Sequence, residues 1–359
     1  MVLFILFIFI CVISTLCIRQ NPKIQYKIVF LYCFISFIFT GLRWNYGGDW
    51  DTYYNYFKNI KSLCFDDSSF EFGWIILSYT IKTIFNSYTL FQFFIASVIF
   101  FCIYTSIKKL SAVPLLSYFV YFAIDHGGIN YVRTVIATCL IIYSLVYAKE
   151  RKIIKYMLIW FCAFSIHFSS FIALPIYWIY NNTISFKKYI AVSFACISFF
   201  YISGKVFLSD FSLLGPYVQY KLDKYISAQE SEEYFGSNIT VEMAMMNYMI
   251  KKSFIFLFLF IYCKKALQND YVFRGVTNVF IVGTAFYCSV VPIAMQFGRM
   301  SGYMDGSEIF IVPFIYKYIQ SRIIKNIFLF LTILMNFIRI NGHLDPDNPL
   351  IYNYHWVLF

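Results

Sequence analysis

The chain has 359 residues, of which 60% are hydrophobic and only 13% are charged. A soluble domain carries about a quarter charged residues, so this chain has too few polar side chains to cover its surface in water. The formal net charge is +11, but a basic face interleaved with aromatic residues is missing, which argues against a DNA or RNA partner. The ten cysteines show no metal-ligand or disulfide spacing, so neither a disulfide framework nor a zinc site is indicated. We expect no cofactor.

Repeated apolar runs are long enough to cross about 30 Å of hydrocarbon as helices. The candidate spans, in chain order, are 2–18, 26–42, 88–107, 112–124, 129–148, 153–181 (interrupted), 189–203, 247–263, 275–295, 303–316 and 326–340. We predict an all-α polytopic membrane protein with about 10–12 transmembrane helices, some of them short or broken. The whole chain, 1–359, is expected to form a single integral membrane domain.

Clusters of basic residues punctuate these spans. They are Arg19, Lys23 and Lys27; Lys108 and Lys109; Lys149, Arg151, Lys152 and Lys155; Lys187 and Lys188; Lys264, Lys265 and Arg274; and Lys317, Arg322 and Lys325. If all of them are cytoplasmic, as the positive-inside rule requires, the helices alternate without contradiction. This holds provided that 71–86 does not cross and that 153–181 enters and returns. The positive charge is therefore interpreted as an orientation signal.

This orientation places the longer polar segments on the external side. The segment 43–87 is predicted to be an external loop that contains an amphipathic helix lying at the interface or dipping into it. The segment 204–246, rich in Tyr, Glu and Ser, is predicted to be a large external loop.

The first candidate site lies in GLRWNYGGDWDTYYNYF, residues 41–57. Asp49 and Asp51 match the DxD metal motif of nucleotide-sugar glycosyltransferases, but nucleotide sugars are cytoplasmic and this stretch is predicted to be external. A single carboxylate pair is also weak support for a metal site. We interpret Asp49 as a partner of Arg43 or as an acceptor for a substrate hydroxyl, and Asp51 as a solvated charge.

Three arginines are predicted at the external ends of helices. Arg133 lies one turn inside a span, where it is either a snorkelling side chain or functional. Arg43 and Arg299 repeat this placement on two other helices. Arginine is suited to phosphate, because its planar fork donates two parallel hydrogen bonds and keeps its charge.

His167 and Glu308 are the candidate proton acceptors. His167 interrupts an apolar run where the chain is predicted to turn at the external surface, and it is either a structural residue or a proton acceptor or phosphate ligand. Asp305 and Glu308 follow Arg299 into a helix. Glu308 is a candidate general base, and an ion pair with Arg299 or Lys251 is the alternative.

Taken in order, these motifs resemble the EpsG-like, Wzy-type polysaccharide polymerases. The residues that carry the resemblance are Leu42, Arg43, Gly48, Asp49, Trp50, Tyr53, Phe57, Asn130, Arg133, Ile166, His167, Phe168, Ser169, Arg299 and Tyr303. Their order and spacing hold over residues 41–316, most of the chain.

The resemblance implies a bacterial inner-membrane enzyme that polymerises undecaprenyl-diphosphate-linked repeat units into an O antigen or capsule at the periplasmic face, without a metal. The implied site consists of Arg43, Arg133 and Arg299 on the diphosphate, His167, Asp49 or Glu308 as proton acceptor, and Gly48, Trp50, Tyr53 and Asn130 in support. The implied partners are the lipid-linked glycans and the bilayer, with a chain-length regulator protein as a further candidate. The loop 204–246 would be a periplasmic lid.

Two other functions stay open. A lipid-linked oligosaccharide flippase would show charges along the bilayer and repeats with matched broken helices, whereas here the charges gather on one face and no repeat is found. An O-antigen ligase-type or polyprenyl-phosphate-sugar glycosyltransferase would use the same chemistry on another acceptor. A membrane acyltransferase is disfavoured because Asp125 and His126 lie too close to a turn.

Overall fold

The computed structural model describes residues 2–44, 49–63, 65, 70–125, 132–183, 241–292, 295–341 and 355–356. Several expectations fall outside these residues and stay predictions. They concern Gly48, Asn130, the cluster of Lys187 and Lys188, the span 189–203 and most of the loop 204–246.

The described residues form fifteen α-helices, two 3₁₀ helices and one pair of two-residue strands. In chain order the elements are α1 Val2–Cys17, α2 Pro22–Gly41, β1 Arg43–Trp44, α3 Trp50–Asn59, α4 Phe72–Phe85, α5 Tyr88–Leu110, α6 Pro114–Asp125, α7 Val132–Lys149, α8 Ile153–Ile166, the first 3₁₀ helix Phe168–Ala173, α9 Ile176–Asn181, α10 Val241–Tyr262, α11 Lys264–Asn269, α12 Tyr271–Val290, the second 3₁₀ helix Met295–Ser301, α13 Gly302–Asp305, α14 Glu308–Tyr318, α15 Arg322–Asn341 and β2 His355–Trp356.

Local sequence sets several helix ends. Asn21 accepts a hydrogen bond from the N–H of Lys23 at 2.9 Å, and Pro22 occupies the first helical position of α2. α4 ends at Asn86, whose backbone is left-handed (φ 47°), and Ser87 then caps α5. α4 and α5 are therefore joined by a tight two-residue turn.

The core of the bundle is built around α6. All ten residues from Pro114 to Ala123 are buried, as expected for a helix that is apolar on every side. α1, α2, α14 and α15 pack against it. α10 and α15 lie at the periphery, since only 22% of the apolar stretch of each helix is buried, against 67% for α7 and α12.

Contacts between helix ends bring the basic clusters together at one end of the bundle, which we call the basic end. The contacts are Tyr26 OH to Lys108 O (3.4 Å), Lys149 Nζ to Lys109 O (2.7 Å), Arg19 Nη2 to Asn326 Oδ1 (3.3 Å), Arg151 over the ring of Tyr271 (5.7 Å) and Lys317 Nζ to Asp270 Oδ2 (4.0 Å). Among the described residues, all the predicted clusters therefore share one end.

The segment 153–181 leaves the basic end and returns to it, as the charge pattern requires. α8 ends at Ile166, and His167 separates it from the first 3₁₀ helix. α9 ends at Asn181, whose Nδ2 donates to Ala148 O at 3.1 Å, beside the last residue of α7.

α3 and α4 lie across the opposite end, against the first turns of α5. The ring of Trp50 meets Tyr88 at 5.8 Å, and Trp74 meets Phe91 at 5.2 Å. Lys82, near the end of α4, donates to the carbonyl of Ile60 at 2.8 Å, just after α3.

The predicted span 303–316 is wrong as a single helix. It consists of α13 and α14, with Gly306 at the junction. A Cβ at position 306 would lie 2.6 Å from Gly302 O, so only glycine permits this close approach. α14 has 11 residues, fewer than the roughly 20 that a straight crossing needs.

Six helices in the described part of the chain are long and apolar enough to cross a membrane, and four shorter apolar helices accompany them. The prediction of an all-α polytopic membrane protein is confirmed.

Candidate active site

Four predicted site residues join one hydrogen-bonded network at the end of the bundle opposite to the basic end. We call it the Arg133 network, and its members are Asp49, Tyr53, Glu71, Arg133, His167, Ser169 and Tyr303. Arg133 is in the first turn of α7 and Lys149 is its last residue. At 1.5 Å per residue, the two are separated by about 24 Å along the helix.

The guanidinium of Arg133 is held through two of its three nitrogens. Nε donates to Tyr53 OH at 3.2 Å, and Nη1 donates to the carboxylate of Glu71. The rings of Phe70 and Tyr53 lie 4.7 and 5.5 Å from the guanidinium carbon. Nη2 has no hydrogen-bond partner within the described part of the chain, and the side chain is 20% exposed. One edge of the fork is therefore available to an anion.

Glu71 connects three elements of the fold. It directly precedes α4, and its Oε2 accepts from Arg133 on α7. Its Oε1 accepts from the N–H of Phe168, in the first 3₁₀ helix, at 3.2 Å. Nδ1 of His167 lies 3.8 Å from the same oxygen, so a protonated imidazole here would be stabilised by the carboxylate.

His167 is oriented by a short polar chain. Its Nδ1 lies 2.9 Å from Ser169 Oγ, and Ser169 Oγ lies 2.9 Å from Tyr303 OH. The side chain is 25% exposed. A partly exposed imidazole whose Nδ1 is oriented by Ser169 is a candidate for proton transfer.

Tyr53 links Arg133 to Asp49. Its hydroxyl accepts from Arg133 and donates to Asp49 Oδ2 at 3.4 Å. Burial raises the pKa of Tyr53, although the charge of Arg133 acts in the opposite direction. The phenol therefore stays protonated at neutral pH and makes both hydrogen bonds.

The two carboxylates of the DxD motif are exposed. Asp49 precedes α3, and Asp51 lies in its first turn. Within the described residues, no group of three or more His, Cys, Asp or Glu side chains is arranged to hold a metal ion. The structure thus connects Asp49 to the arginine through Tyr53.

Arg43 and Trp50, two further predicted site residues, are both buried. Arg43 is only 2% exposed, and its backbone pairs with Trp356 in the β1–β2 ladder. Trp50 is also buried, and it stacks on Tyr54 with a centroid distance of 4.8 Å. Its predicted supporting role at the site stays a prediction, and what the structure shows is the packing of a buried aromatic residue. The predicted diphosphate contact of Arg43 stays a prediction.

Arg299 lies on an exposed turn next to the network. The second 3₁₀ helix, which carries it, packs against the first 3₁₀ helix. Its side chain is exposed, and Tyr303 of the network follows four residues later. The fold thus brings Arg299 close to the segment that starts at His167.

Glu308 belongs to a second polar group, the Glu308 cluster, whose members are Tyr248, Lys252, Ser301, Asp305, Glu308 and Arg339. Lys252 Nζ lies 2.6 Å from Glu308 Oε2, and Arg339 Nη2 lies 3.1 Å from Oε1. The side chains of Lys252 and Glu308 are each 5% exposed. The alternative of an ion pair is therefore what the structure shows, but the hydrogen-bonded partners are Lys252 and Arg339 instead of Arg299 or Lys251.

Sequence reasoning missed Glu71, Lys252 and Arg339. Lys252 and Arg339 lie within helices long enough to span a membrane, and charges inside spans are a recognisable signal. Glu71 has no such signal. It is 62 positions from Arg133 in the chain, and only the packing of α4 against α8 brings it to the site.

Fold and site together define a multi-pass, all-α membrane protein with a partly exposed polar site at the end opposite to its basic clusters. The chain matches the EpsG family over residues 26–356, and it belongs to this family of Wzy-like polymerases. The family predicted from the sequence is thereby confirmed. Family membership indicates a membrane glycosyltransferase or polymerase-like function. No curated protein and no solved structure matches the chain.

Proposed function

We propose that this protein polymerises undecaprenyl-diphosphate-linked oligosaccharide repeat units into a surface polysaccharide, an O antigen or a capsule. The family supports an enzyme of this general kind. One observation carries the finer assignment: Arg133, held with one edge of its fork open, shares the carboxylate of Glu71 with the segment that begins at His167. An anion-binding group and a proton-transfer group thus lie side by side.

In this proposal the chain lies in the bacterial inner membrane with its basic end in the cytoplasm, following the positive-inside rule. The Arg133 network then faces the periplasm, where lipid-linked repeat units are joined. The partners are the lipid-linked glycans, the bilayer and, as a further candidate, a chain-length regulator protein. The segments 43–87 and 204–246 would be periplasmic, the latter as a lid.

The reaction forms one bond and breaks another. The hydroxyl oxygen of the acceptor repeat unit attacks the anomeric carbon of the growing glycan, and the bond between that carbon and the diphosphate oxygen breaks. Undecaprenyl diphosphate leaves with the bonding electrons, so negative charge develops on its oxygens. The open edge of Arg133 stabilises that charge, and Arg299, on the adjacent exposed turn, contributes a second positive charge.

His167 accepts the hydroxyl proton in this mechanism. The neutral imidazole takes up the proton and becomes an imidazolium. Glu71 then stabilises the imidazolium from 3.8 Å. Asp49, exposed and bonded to Tyr53, positions the acceptor by hydrogen bonding to a sugar hydroxyl. Glu308 is assigned a structural role, because its carboxylate is buried and shared between two cations.

Deletion of the gene tests the proposal directly. We expect the ladder of polysaccharide chain lengths on a gel to disappear and a single repeat unit to remain on its anchor. Loss of every repeat unit from the anchor would favour the flippase or the ligase instead.

Complementation of the deletion strain tests the site. Arg133→Ala and His167→Ala should each fail to restore the ladder while accumulating in the membrane at normal amounts. Arg322→Ala is the matched control, since Arg322 is exposed at the start of α15 at the basic end, and it should restore the ladder fully. Normal ladders from both site variants would overturn the assignment.

A further inference from the structure

We infer that Glu71 is a positioning residue that holds Arg133, the diphosphate-binding group, in register with the segment beginning at His167, the proton acceptor. Glu71 does not touch the substrate in this role; it acts through the groups that do. The inference rests on the proposed function.

The first argument is the division of the carboxylate between two elements. One oxygen accepts from Arg133 on α7, and the other accepts from the N–H of Phe168 at 3.2 Å. These donors are 35 positions apart in the chain, and Glu71 itself comes from a third element, the start of α4. A single side chain therefore fixes the distance between the guanidinium and the turn that carries His167.

The second argument is that the contacts leave Arg133 only one open edge. Glu71 occupies Nη1, Tyr53 occupies Nε, and Phe70 and Tyr53 flank the plane of the guanidinium. Among the described residues, Nη2 has no hydrogen-bond partner, and the planar guanidinium fixes its position relative to the two held nitrogens. A preorganised donor stabilises developing charge without having to reorient during the reaction.

The third argument concerns charge. Because of the charge of Glu71, the direction in which anion binding changes on its removal distinguishes two possible roles. Glu71 carries a negative charge next to the proposed diphosphate site, so its removal raises the positive potential there. If Glu71 only neutralised Arg133, its loss would tighten the binding of an anion. If Glu71 positions Arg133, the lost alignment outweighs this gain and binding weakens.

The experiment measures the binding of undecaprenyl diphosphate to the purified protein in lipid nanodiscs, with undecaprenol as the uncharged control ligand. The variants are Glu71→Ala, Glu71→Gln, Arg133→Ala and the double variant Glu71→Ala/Arg133→Ala. Asp51→Asn is the matched control, because it removes an exposed carboxylate from the same end of the bundle. Thermal unfolding of each variant without ligand is recorded in parallel.

We expect Glu71→Ala to weaken binding of the diphosphate about tenfold, the loss typical of a charge-assisted hydrogen bond. Glu71→Gln should recover part of this loss, since its amide oxygen can still accept from Arg133. The double variant should bind no more weakly than Arg133→Ala alone, because a positioning residue has no effect once its target is gone. Binding of undecaprenol should be the same in all variants, and Asp51→Asn should bind the diphosphate as tightly as the wild type does. The unfolding temperatures of the variants should not change.

Other outcomes would overturn the inference. Tighter binding by Glu71→Ala would make Glu71 a competitor of the diphosphate, and additive losses in the double variant would make it independent of Arg133. A parallel drop in unfolding temperature, without recovery by Glu71→Gln, would reduce it to a structural residue. Unchanged binding by Arg133→Ala would instead contradict the proposed function, whatever the Glu71 variants do.

Discussion

The Arg133 network and the Glu308 cluster contain similar groups in opposite settings. Each combines arginine, carboxylate and tyrosine side chains. The side chains of Arg133, Glu71 and His167 are 20–25% exposed, whereas Lys252 and Glu308 are 5% exposed. In the first, one edge of the arginine is open; in the second, Glu308 is shared between two cations.

This difference in exposure fits a structural role for the Glu308 cluster and the proposed binding role for the Arg133 network. Buried charges must be compensated within the protein, since they cannot be solvated there. The Glu308 cluster satisfies this requirement and connects α10, α14 and α15. α10 and α15 are the spans with the smallest buried share, so the ion pairs hold helices that apolar packing alone holds weakly.

The two groups meet through α13. Tyr303 OH lies 2.9 Å from Ser169 Oγ of the network, and Asp305 accepts from Tyr248 OH at 2.5 Å in the cluster. Only one residue separates Tyr303 from Asp305. The buried cluster therefore supports the helix that borders the open network.

Among the substitutions that test the difference between the two groups, Glu308→Ala is expected to have the largest effect, and this effect is on stability. It leaves Lys252 and Arg339 buried without their carboxylate, and breaking a buried ion pair in this way costs about 3–5 kcal/mol. The amount of protein in the membrane and its unfolding temperature in detergent should both fall. A combined replacement of Lys252, Glu308 and Arg339 by Met, Leu and Met should recover most of the stability. A stable Glu308→Ala protein that makes no polymer would instead support Glu308 as the general base.

Arg133→Lys is expected to reduce polymer formation without reducing stability, the opposite of Glu308→Ala. The ammonium keeps the charge but loses the planar fork, so the open edge and the bond to Tyr53 cannot both be kept. Polymer formation should fall about 100-fold, the usual effect of removing one donor from developing charge, while the unfolding temperature stays within error. Lys82→Arg at the same end is a control that should leave the polymer unchanged. A clear loss of stability would place Arg133 with the structural cluster.

Tyr53→Phe should have the smallest effect. It removes the hydrogen bonds to Arg133 and Asp49 but keeps the ring. Both bonds are long, at 3.2 and 3.4 Å, so each is taken at about 0.5 kcal/mol, and the two together cost about 1 kcal/mol, or roughly fivefold in activity. Because burial raises the pKa of Tyr53, the phenol is protonated throughout the neutral range, and the pH profiles of variant and wild type should run parallel. Profiles that diverge at neutral pH would show that Tyr53 itself transfers a proton.

Much of the fold could be predicted from the sequence because membrane insertion depends on local composition. Apolar runs identify the spans, and the basic clusters predicted which ends lie together, as the contact between Lys149 and Lys109 confirms. The failure over 303–316 has a local cause as well. Hydropathy does not register a junction such as Gly306, where one helix ends and the next begins inside an apolar run.

The site could be predicted only as separate candidates. Asp49, Tyr53, Arg133 and His167 were recognisable from their chemistry and position, and the structure joins them. Their connection through Glu71, and the separation of Glu308 from them, depend on contacts between distant parts of the chain.

The sequence by itself determined the membrane class, the clustering of basic residues at one end and the membership of the EpsG family. Each of these depends on residues that are close together in the chain. Only the tertiary structure decided which charges meet. Whether an arginine is partly exposed or held in a buried ion pair depends on how α4, α7, α10 and α15 pack. Packing sets the distances between side chains on different helices, and composition contains no information about those distances.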